Sequence, residues 1–446
     1  MTCAPSPTRL VVALVCLSGA NGAAHALDVR ALSLGGSVVA DGEGVPGAIS
    51  NPAALMAMQR RGETTHLSIG FGAETRDPGG LLEAAREDDN QGLLDDLERE
   101  IDAIDLREVS CVPEDRGSFP ANDDPCLDGL GALSELSGRA LSIADPADGE
   151  VTAVQGGADT GVAFTGHAYP FALHLRTRAT GRGRIDVTDD DRAYLRRIED
   201  TLADGVLSYG EILESAEFSL DTDARRIGVL QPEEVLESRG EGGYVVRVTF
   251  AASVATSVEL GGRTIDIGVT PKLSNYTAGG VGTSVADELD DETASIADRL
   301  EDNEESGSSF TFDIGASTAL ASLPIRLAAV VRNVVPESIE TPTGLEFETT
   351  AQLIVGGAIE RGPLTFNADL ALNEADIDGL PTQVIALGAQ FERGPLALRA
   401  GLNQETARAS EATALSLGLG LGPLELGMRA AGIEETYGGV QLSFTF

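Results

Sequence analysis

Tyr437–Phe446 reads YGGVQLSFTF, with Val440, Leu442, Phe444 and Phe446 on one face of a strand and Gln441, Ser443 and Thr445 on the other. The same period of two recurs further back. Leu424, Leu426 and Met428 oppose Glu425, Gly427 and Arg429; Leu415, Leu417, Leu419 and Leu421 oppose Ser416, Gly418 and Gly420. Leu364, Phe366, Ala368, Leu370 and Leu372 oppose Thr365, Asn367, Asp369 and Asn373. An aliphatic face against a polar one is what a lipid-facing wall around a wet lumen requires. A soluble sandwich alternates in the same way, so the connections decide between them.

A Gly-Pro-Leu turn recurs at Gly362–Leu364, Gly394–Leu396 and Gly422–Leu424, about one hairpin apart, while the alternate connections (EADIDG, QETARAS, AGIEET) are longer and acidic. Short turns on one rim and long polar loops on the other are the asymmetry of an outer-membrane barrel. The parity predicts strands near 65–75, 161–168, 171–188, 243–259, 263–276, 309–318 and 323–335. It continues with 345–359, 363–373, 382–391, 395–405, 411–421, 423–432 and 437–446. The expected fold is therefore all-β, a closed antiparallel transmembrane barrel of about 14 strands over residues 61–446, with Phe446 as the terminal signal read by barrel assembly machinery.

Three long insertions, 76–160, 189–242 and 277–308, fall on the rim read as extracellular. They look partly helical: Leu94, Leu97, Ile101 and Ile104 recur at spacings of three and four. Tyr194 to Phe218 and Glu288 to Leu300 are similar. Cys111 and Cys126 sit in the first insertion, where a disulfide is expected in an oxidising compartment.

At the other end, Arg9, an apolar run from Leu10 to Leu17 and Ala24-His25-Ala26 make a cleavable signal over 1–26, with Cys16 inside it. No later stretch approaches a spanning helix, so any span is made of strands. A net charge of −40, from 31 basic and 71 acidic residues, excludes nucleic acid bound through a basic face. Gly reaches 53 residues while aromatics are 4%, which suits tight turns and a small-residue lumen.

Catalytic sets are missing. His66, His167 and His174 have no metal-ligand spacing, and His167 and His174 are read as rim surface; no nucleophile elbow or P-loop occurs. The chain is not expected to be an enzyme or to need a cofactor or metal, although Asp189–Asp191 and Asp88–Asp89 leave weak calcium binding open beside plain solvation. Inward-facing charges are expected to line the lumen as opposite-sign pairs: Arg247, Asp313, Arg326, Arg332, Glu348, Asp369, Arg399, Glu425 and Arg429.

Leu27–Leu55, LDVRALSLGGSVVADGEGVPGAISNPAAL, resembles the N-terminal plug of the FadL-like outer-membrane barrels through Gly35-Gly36, the acidic turn at Asp41 and the Asn51-Pro52-Ala53 motif. Within that superfamily the chain looks most like the TraF-type conjugal transfer family, which shares a long acidic helical segment, here Gly80 to Leu106. The resemblance implies a fourteen-stranded barrel with residues 27–60 as a lumenal plug, in the outer membrane and in contact with its lipid. It also implies passive uptake of a hydrophobic small molecule. The alternative is a non-transporting conjugation or envelope protein whose acidic loops bind a partner. Asn51 is expected to hold the plug by side-chain bonds to backbone, or else to be a plain turn residue.

Overall fold

Fourteen antiparallel strands close on themselves in the computed structural model of the chain, which describes residues 28–77, 93–109, 111, 120–231, 235–284, 303–320, 323–407, 413–431 and 435–446. The first seven strands are β1 (Thr65–Arg76), β2 (Val151–Phe164), β3 (Phe171–Asp186), β4 (Arg239–Leu260), β5 (Arg263–Ser284), β6 (Glu304–Leu320) and β7 (Ile325–Arg332). The second seven are β8 (Gln352–Arg361), β9 (Leu364–Ala371), β10 (Val384–Arg393), β11 (Leu396–Glu405), β12 (Ala414–Leu421), β13 (Leu424–Ala431) and β14 (Glu435–Thr445). Each strand pairs with its neighbours in sequence, and β1 closes the ring on β14 in a register running from His66↔Thr445 to Arg76↔Glu435. The expected signal segment, 1–26, lies outside the described residues.

The turns explain the meander. Gly362, Gly394 and Gly422 each take a φ near +60° ahead of a proline, the backbone that a two-residue hairpin with the right twist asks of its first residue. These turns share a rim with Gly261-Gly262 and with the start of β1. The longer connections are all on the opposite rim.

Side chains sort by face. Leu67, Ile69, Phe71, Phe250, Phe366, Leu387, Leu398, Leu415, Leu417, Met428, Leu442 and Phe444 are outside and exposed, whereas Ser68, Asp313, Asn367, Asp369, Arg399, Asn403, Ser416, Arg429 and Gln441 are buried within. An exposed apolar girdle over a polar interior inverts the soluble arrangement and fits lipid around the wall.

Several strands outrun the period-two reading. β2 starts at Val151 and not near 161, and β5 runs to Ser284, so the insertions expected at 76–160 and 277–308 are shorter than their sequence suggested. The 22 residues of β4 and of β5 rise roughly 70 Å along the strand, far more than an apolar band of about 25 Å requires even when tilted. The surplus stands above the band on the long-loop rim, where outer faces meet water and carry no alternation to read. The helix expected over Glu288 to Leu300 lies outside the described residues.

The first two insertions fold together. Helices α4 (Leu93–Asp105), α5 (Gly131–Ala147), α6 (Asp189–Thr201) and α7 (Tyr209–Glu214) gather a core of twenty-one buried side chains, among them Leu97, Ile101, Leu133, Tyr194 and Ile198. Pro125–Asp128 pairs with Val206–Ser208 to join the two. The predicted Leu97, Ile101, Ile104 stripe is the buried face of α4. Tyr194 to Phe218 is not one helix: α6 ends at Thr201 and α7 restarts behind the Ser208 capping box.

Candidate functional site

Inside the ring lies the segment 28–64, folded as helices α1 (Val29–Ser33), α2 (Gly44–Ser50) and α3 (Ala54–Arg61). Asp28 caps α1 by accepting from the Ala31 amide at 2.9 Å. α1 packs on β11 to β14, α2 on β1 to β3, and α3 on β4 and β5. The intervening turns reach the remaining strands: Asn51 donates to Ala316 of β6 and Arg332 of β7 donates to Ser50. On β8 to β10, Val39 packs with Ile354, Asp369 accepts from the Val38 and Val39 amides, and Gln390 accepts from Arg30. Contact with all fourteen strands is possible only from within.

The motif residues hold this segment by close backbone approach and buried hydrogen bonds. Gly35 and Gly401 lie so near that a Cβ on Gly401 would stand 2.3 Å from the Gly35 nitrogen, and Asn403 donates to the Gly35 carbonyl at 2.8 Å. Gly36 follows in the same left-handed turn, with φ 97°. Asp41 is buried and pairs with Arg30 at 2.6 Å. Asn51, fully buried, donates to the Val39 carbonyl at 3.0 Å and accepts from the Ala53 amide at 3.0 Å, with Pro52 and Ala53 against Gly268 of β5. Burial pushes the Asp28 carboxyl above its ordinary range, against the Ala31 amide that lowers it.

The predicted lumen charges are largely paired. Asp313 meets Lys272 at 2.7 Å, Arg399 meets Glu425 at 3.0 Å, Arg326 meets Glu360 at 3.5 Å, and Arg429 lies 3.4 Å over the Tyr437 ring. Asp369 instead holds backbone, and Arg332 caps the Ser50 carbonyl. Glu348 is displaced from the expected wall. The strand predicted over 345–359 is broken, and Glu348 stands in a separate hairpin, Glu337–Glu340 with Glu346–Thr349, because the chain turns into the mouth before β8.

Sequence reasoning missed Asp378. It sits at the turn of a second mouth hairpin, Ala375–Ile377 with Leu380–Thr382, and takes φ 52° before Gly379 at 73°. The Asp-Gly pair between Ile377 and Leu380 is the sequence signal that finds it. Arg247 donates to its carboxylate at 2.9 Å and Arg178 pairs at 3.0 Å. Burial opposes ionisation there, but Arg178 and Arg247 outweigh it and hold the carboxyl down to about 2. Between this hairpin and the N-terminal segment lies a polar cavity of about 150 Å³, lined by Asp28, Ser50, Arg176, Lys272, Arg332 and Asp378 among others.

His174 was expected on the rim surface; it is buried in the wall facing inward, 3.1 Å from the Ser253 hydroxyl, whereas His167 is exposed as expected. Its other ring nitrogen has no hydrogen-bond partner, so the pair lacks the orienting acid and the access of a hydrolytic triad. Asp191 turns inward to accept from the Glu237 and Ser238 amides, so the 189–191 run is not purely solvated charge. No cluster of three metal-ligating groups occurs among the described residues, and Asp88–Asp89 lies outside them. Cys111 and Cys126 are bonded, with Cα atoms 5.1 Å apart, inside the rim core. Phe446 is exposed, and its backbone pairs with Thr65 at 2.9 Å.

No curated protein matches the chain in sequence. Solved structures similar to it include the P. putida toluene transporter TodX, 11% identical over 93% of this chain and 97% of that one, with a TM-score of 0.46. A Pseudomonas aeruginosa FadL homologue is 12% identical over 94% and 98%, with a TM-score of 0.37. The CymD monoaromatic hydrocarbon channel is 11% identical over 94% and 97%, with a TM-score of 0.34. Likenesses this distant transfer neither activity nor cargo. The family described as F plasmid transfer operon, TraF, protein matches residues 48–370, from α2 into β9 and nearly three quarters of the chain, and the chain belongs to that family.

Proposed function

We propose that this chain is a plugged outer-membrane barrel that presents its rim domain to a partner in an envelope or conjugation complex. The observation that carries the reading is the rim domain itself: two insertions share one apolar core, and a disulfide braces the first of them. Residues 77–150 and 187–238 hold 35 acidic and 10 basic residues, most of the chain's net charge. That balance suits a partner with a basic face and salt-sensitive docking. The lumen supports the same reading, because residues 28–61 pack against every strand of the wall as a plug and its ion pairs, Asp313 with Lys272 and Arg399 with Glu425, stand in the way of an apolar solute. An export signal over 1–26, expected from the sequence, would suit delivery of such a barrel to the outer membrane.

A second reading, passive uptake of a hydrophobic small molecule, is favoured by a groove of about 820 Å³ on the outer wall, lined by Ile325, Leu327, Phe366, Leu387, Leu402 and Leu417. One strain set separates the two. A gene deletion is complemented by wild type, by a charge reversal of Asp189, Asp190 and Asp200 to Lys, and by Asn51→Leu. Cross-linked partner in outer-membrane fractions and uptake of a labelled long-chain fatty acid are then measured. Docking predicts that the charge reversal loses the cross-link while uptake is indifferent to the gene. Uptake that requires the gene and changes with Asn51→Leu supports transport and overturns docking as the main role.

A further inference from the structure

Two hairpins cross the long-loop mouth, and they are fastened by different chemistry. The Glu337–Thr349 hairpin packs Ile339 and Phe347, both buried, onto Val245 and Ala278 of β4 and β5. The Ala375–Thr382 hairpin buries only Ala375 among its apolar residues; Ile377, Leu380 and Pro381 stay half-exposed. Bonds to Glu348, Thr349 and Thr350 tie it to the first hairpin, and what ties it across the mouth is Asp378, 2% exposed, whose two carboxylate oxygens face Arg247 of β4 and Arg178 of β3. Thr180 and Thr349 hydroxyls also donate to that carboxylate, at 3.3 and 3.5 Å.

The span matters as much as the pairing. The hairpin leaves β9 and returns to β10, and in the closed order of strands β4 and β3 stand five and six places from β9. In a ring of fourteen the greatest separation is seven, so these ion pairs cross the lumen. Arg182 of β3 donates to the Asp378 carbonyl at 3.3 Å and to the Glu346 carbonyl at 2.8 Å, and the Gly379 amide donates to Glu348 at 2.6 Å. Gly379 resists a side chain: a Cβ there would lie 2.7 Å from the Glu346 carbonyl oxygen, at a φ that L residues seldom adopt. Beneath lies the polar cavity whose floor is Asp28, Ile49 and Ser50.

We infer that the Ala375–Thr382 hairpin is a releasable lid over this cavity, and that Asp378, held by Arg178 and Arg247, is its latch. A buried ion pair adds little net stability over apolar packing, yet losing one partner leaves the others buried and uncompensated. Without the carboxylate, Arg178 and Arg247 are left facing each other with Gln155 and Glu337 beside them, and water reaches them once the hairpin lifts. Loss of the carboxylate thus removes the ties across the lumen to Arg178 and Arg247 together, and leaves the hairpin on its backbone bonds to Glu348 and Thr350 and the Arg182 bond to the Asp378 carbonyl. The lid is independent of what binds the rim or crosses the lumen.

The test places a reporter in the cavity. Thr249→Cys lines it, and the rim cysteines are already bonded to each other. Labelling by a charged, membrane-impermeant maleimide is followed in wild type, Asp378→Ala and Arg247→Gln, each confirmed as a closed barrel by its heat-shifted gel mobility. Labelling should rise about tenfold or more in Asp378→Ala, and less in Arg247→Gln, which keeps Arg178 on the carboxylate. Equal labelling in all three overturns the latch. If Asp378→Ala does not form a barrel, hydrogen exchange of the otherwise native protein decides. The Gly379 and Thr350 amides, bonded to Glu348 and Asp376, should exchange together and faster than those of β9. Protection equal to the wall overturns the lid.

Discussion

The rim domain buries a nearly all-apolar core, whereas the lumen buries paired polar groups beside its apolar ones. In the rim domain twenty-one largely aliphatic side chains are enclosed and most acids point to water, Asp191 and Glu217 being the buried exceptions, as in many a small soluble fold. In the barrel large aliphatics of the wall point outward, and the enclosed groups mix Arg30, Asp41, Asn51, Asp313, Asp369 and Arg399, joined by hydrogen bonds and ion pairs, with apolar side chains such as Leu32, Leu34, Leu55 and Met58. One chain follows one rule in both places: apolar atoms go where water is absent, and buried polar atoms find partners. What differs is where water is absent. The contrast teaches that the two regions stand on separate energetic footings and should fail separately.

The sharpest way to break that separation is Ile198→Asp, which puts an unpaired carboxylate at a fully buried position in α6. A cost of about 4 kcal/mol or more is expected, so limited proteolysis should digest the rim while the heat-shifted mobility of the barrel persists. Loss of both together would show that they fold as one unit. The converse is Leu417→Arg on the outer girdle, expected to cost about 3 kcal/mol in a bilayer unfolding titration with the rim unaltered. Reducing Cys111–Cys126 should weaken the rim alone, by about 3 kcal/mol for a loop of this length, 15 residues. Differential exchange of rim and wall amides before and after reductant reads it.

The smallest effect is the pH response of the lid. The Asp378 carboxyl is held near 2 against an ordinary 3.8, so its contribution is complete above about 4 and disappears as pH falls through about 2. The loss amounts to about 2 kcal/mol. Cavity labelling should therefore be flat from pH 7 to 5, measured with a reagent whose own reactivity is corrected for pH, and rise only below 4. A rise near pH 6 would point to some other group as the latch.

How much of this the sequence discloses follows from the same physics. Strands β9 to β14 are legible because outward residues within the band face lipid and are apolar, so Leu415 to Leu421 alternates without a break. Above the band that demand ends. VTAVQGGADT, the first ten residues of β2, carries no alternation and is a strand only through its pairing with β1 and β3. The motif at Asn51 was legible only through its resemblance to a known plug; its bonds to Val39 and Ala53 are local, but that to Ala316 of β6 is not. Asp378 was not, because its partners lie 131 and about 200 residues away and the loop holding it reads as solvated acid. Glu348 failed for the related reason that a β-like run, LEFETTAQLI, hides a change of direction into the mouth.

The seam between β1 and β14 has a consequence in time. The ring cannot close until Glu435–Thr445 has been made and laid beside Thr65–Arg76, so the pairing of greatest sequence separation comes last. Until then the barrel is an open sheet with two unpaired edges, and residues 28–61 have a broad way in. Afterwards their only exits are a rim of tight turns and a latched mouth. Enclosure is therefore a matter of order, with the segment in place before the wall shuts. Refolding with the segment supplied as a separate peptide should succeed when it is present from the start and fail when it is added to finished barrels.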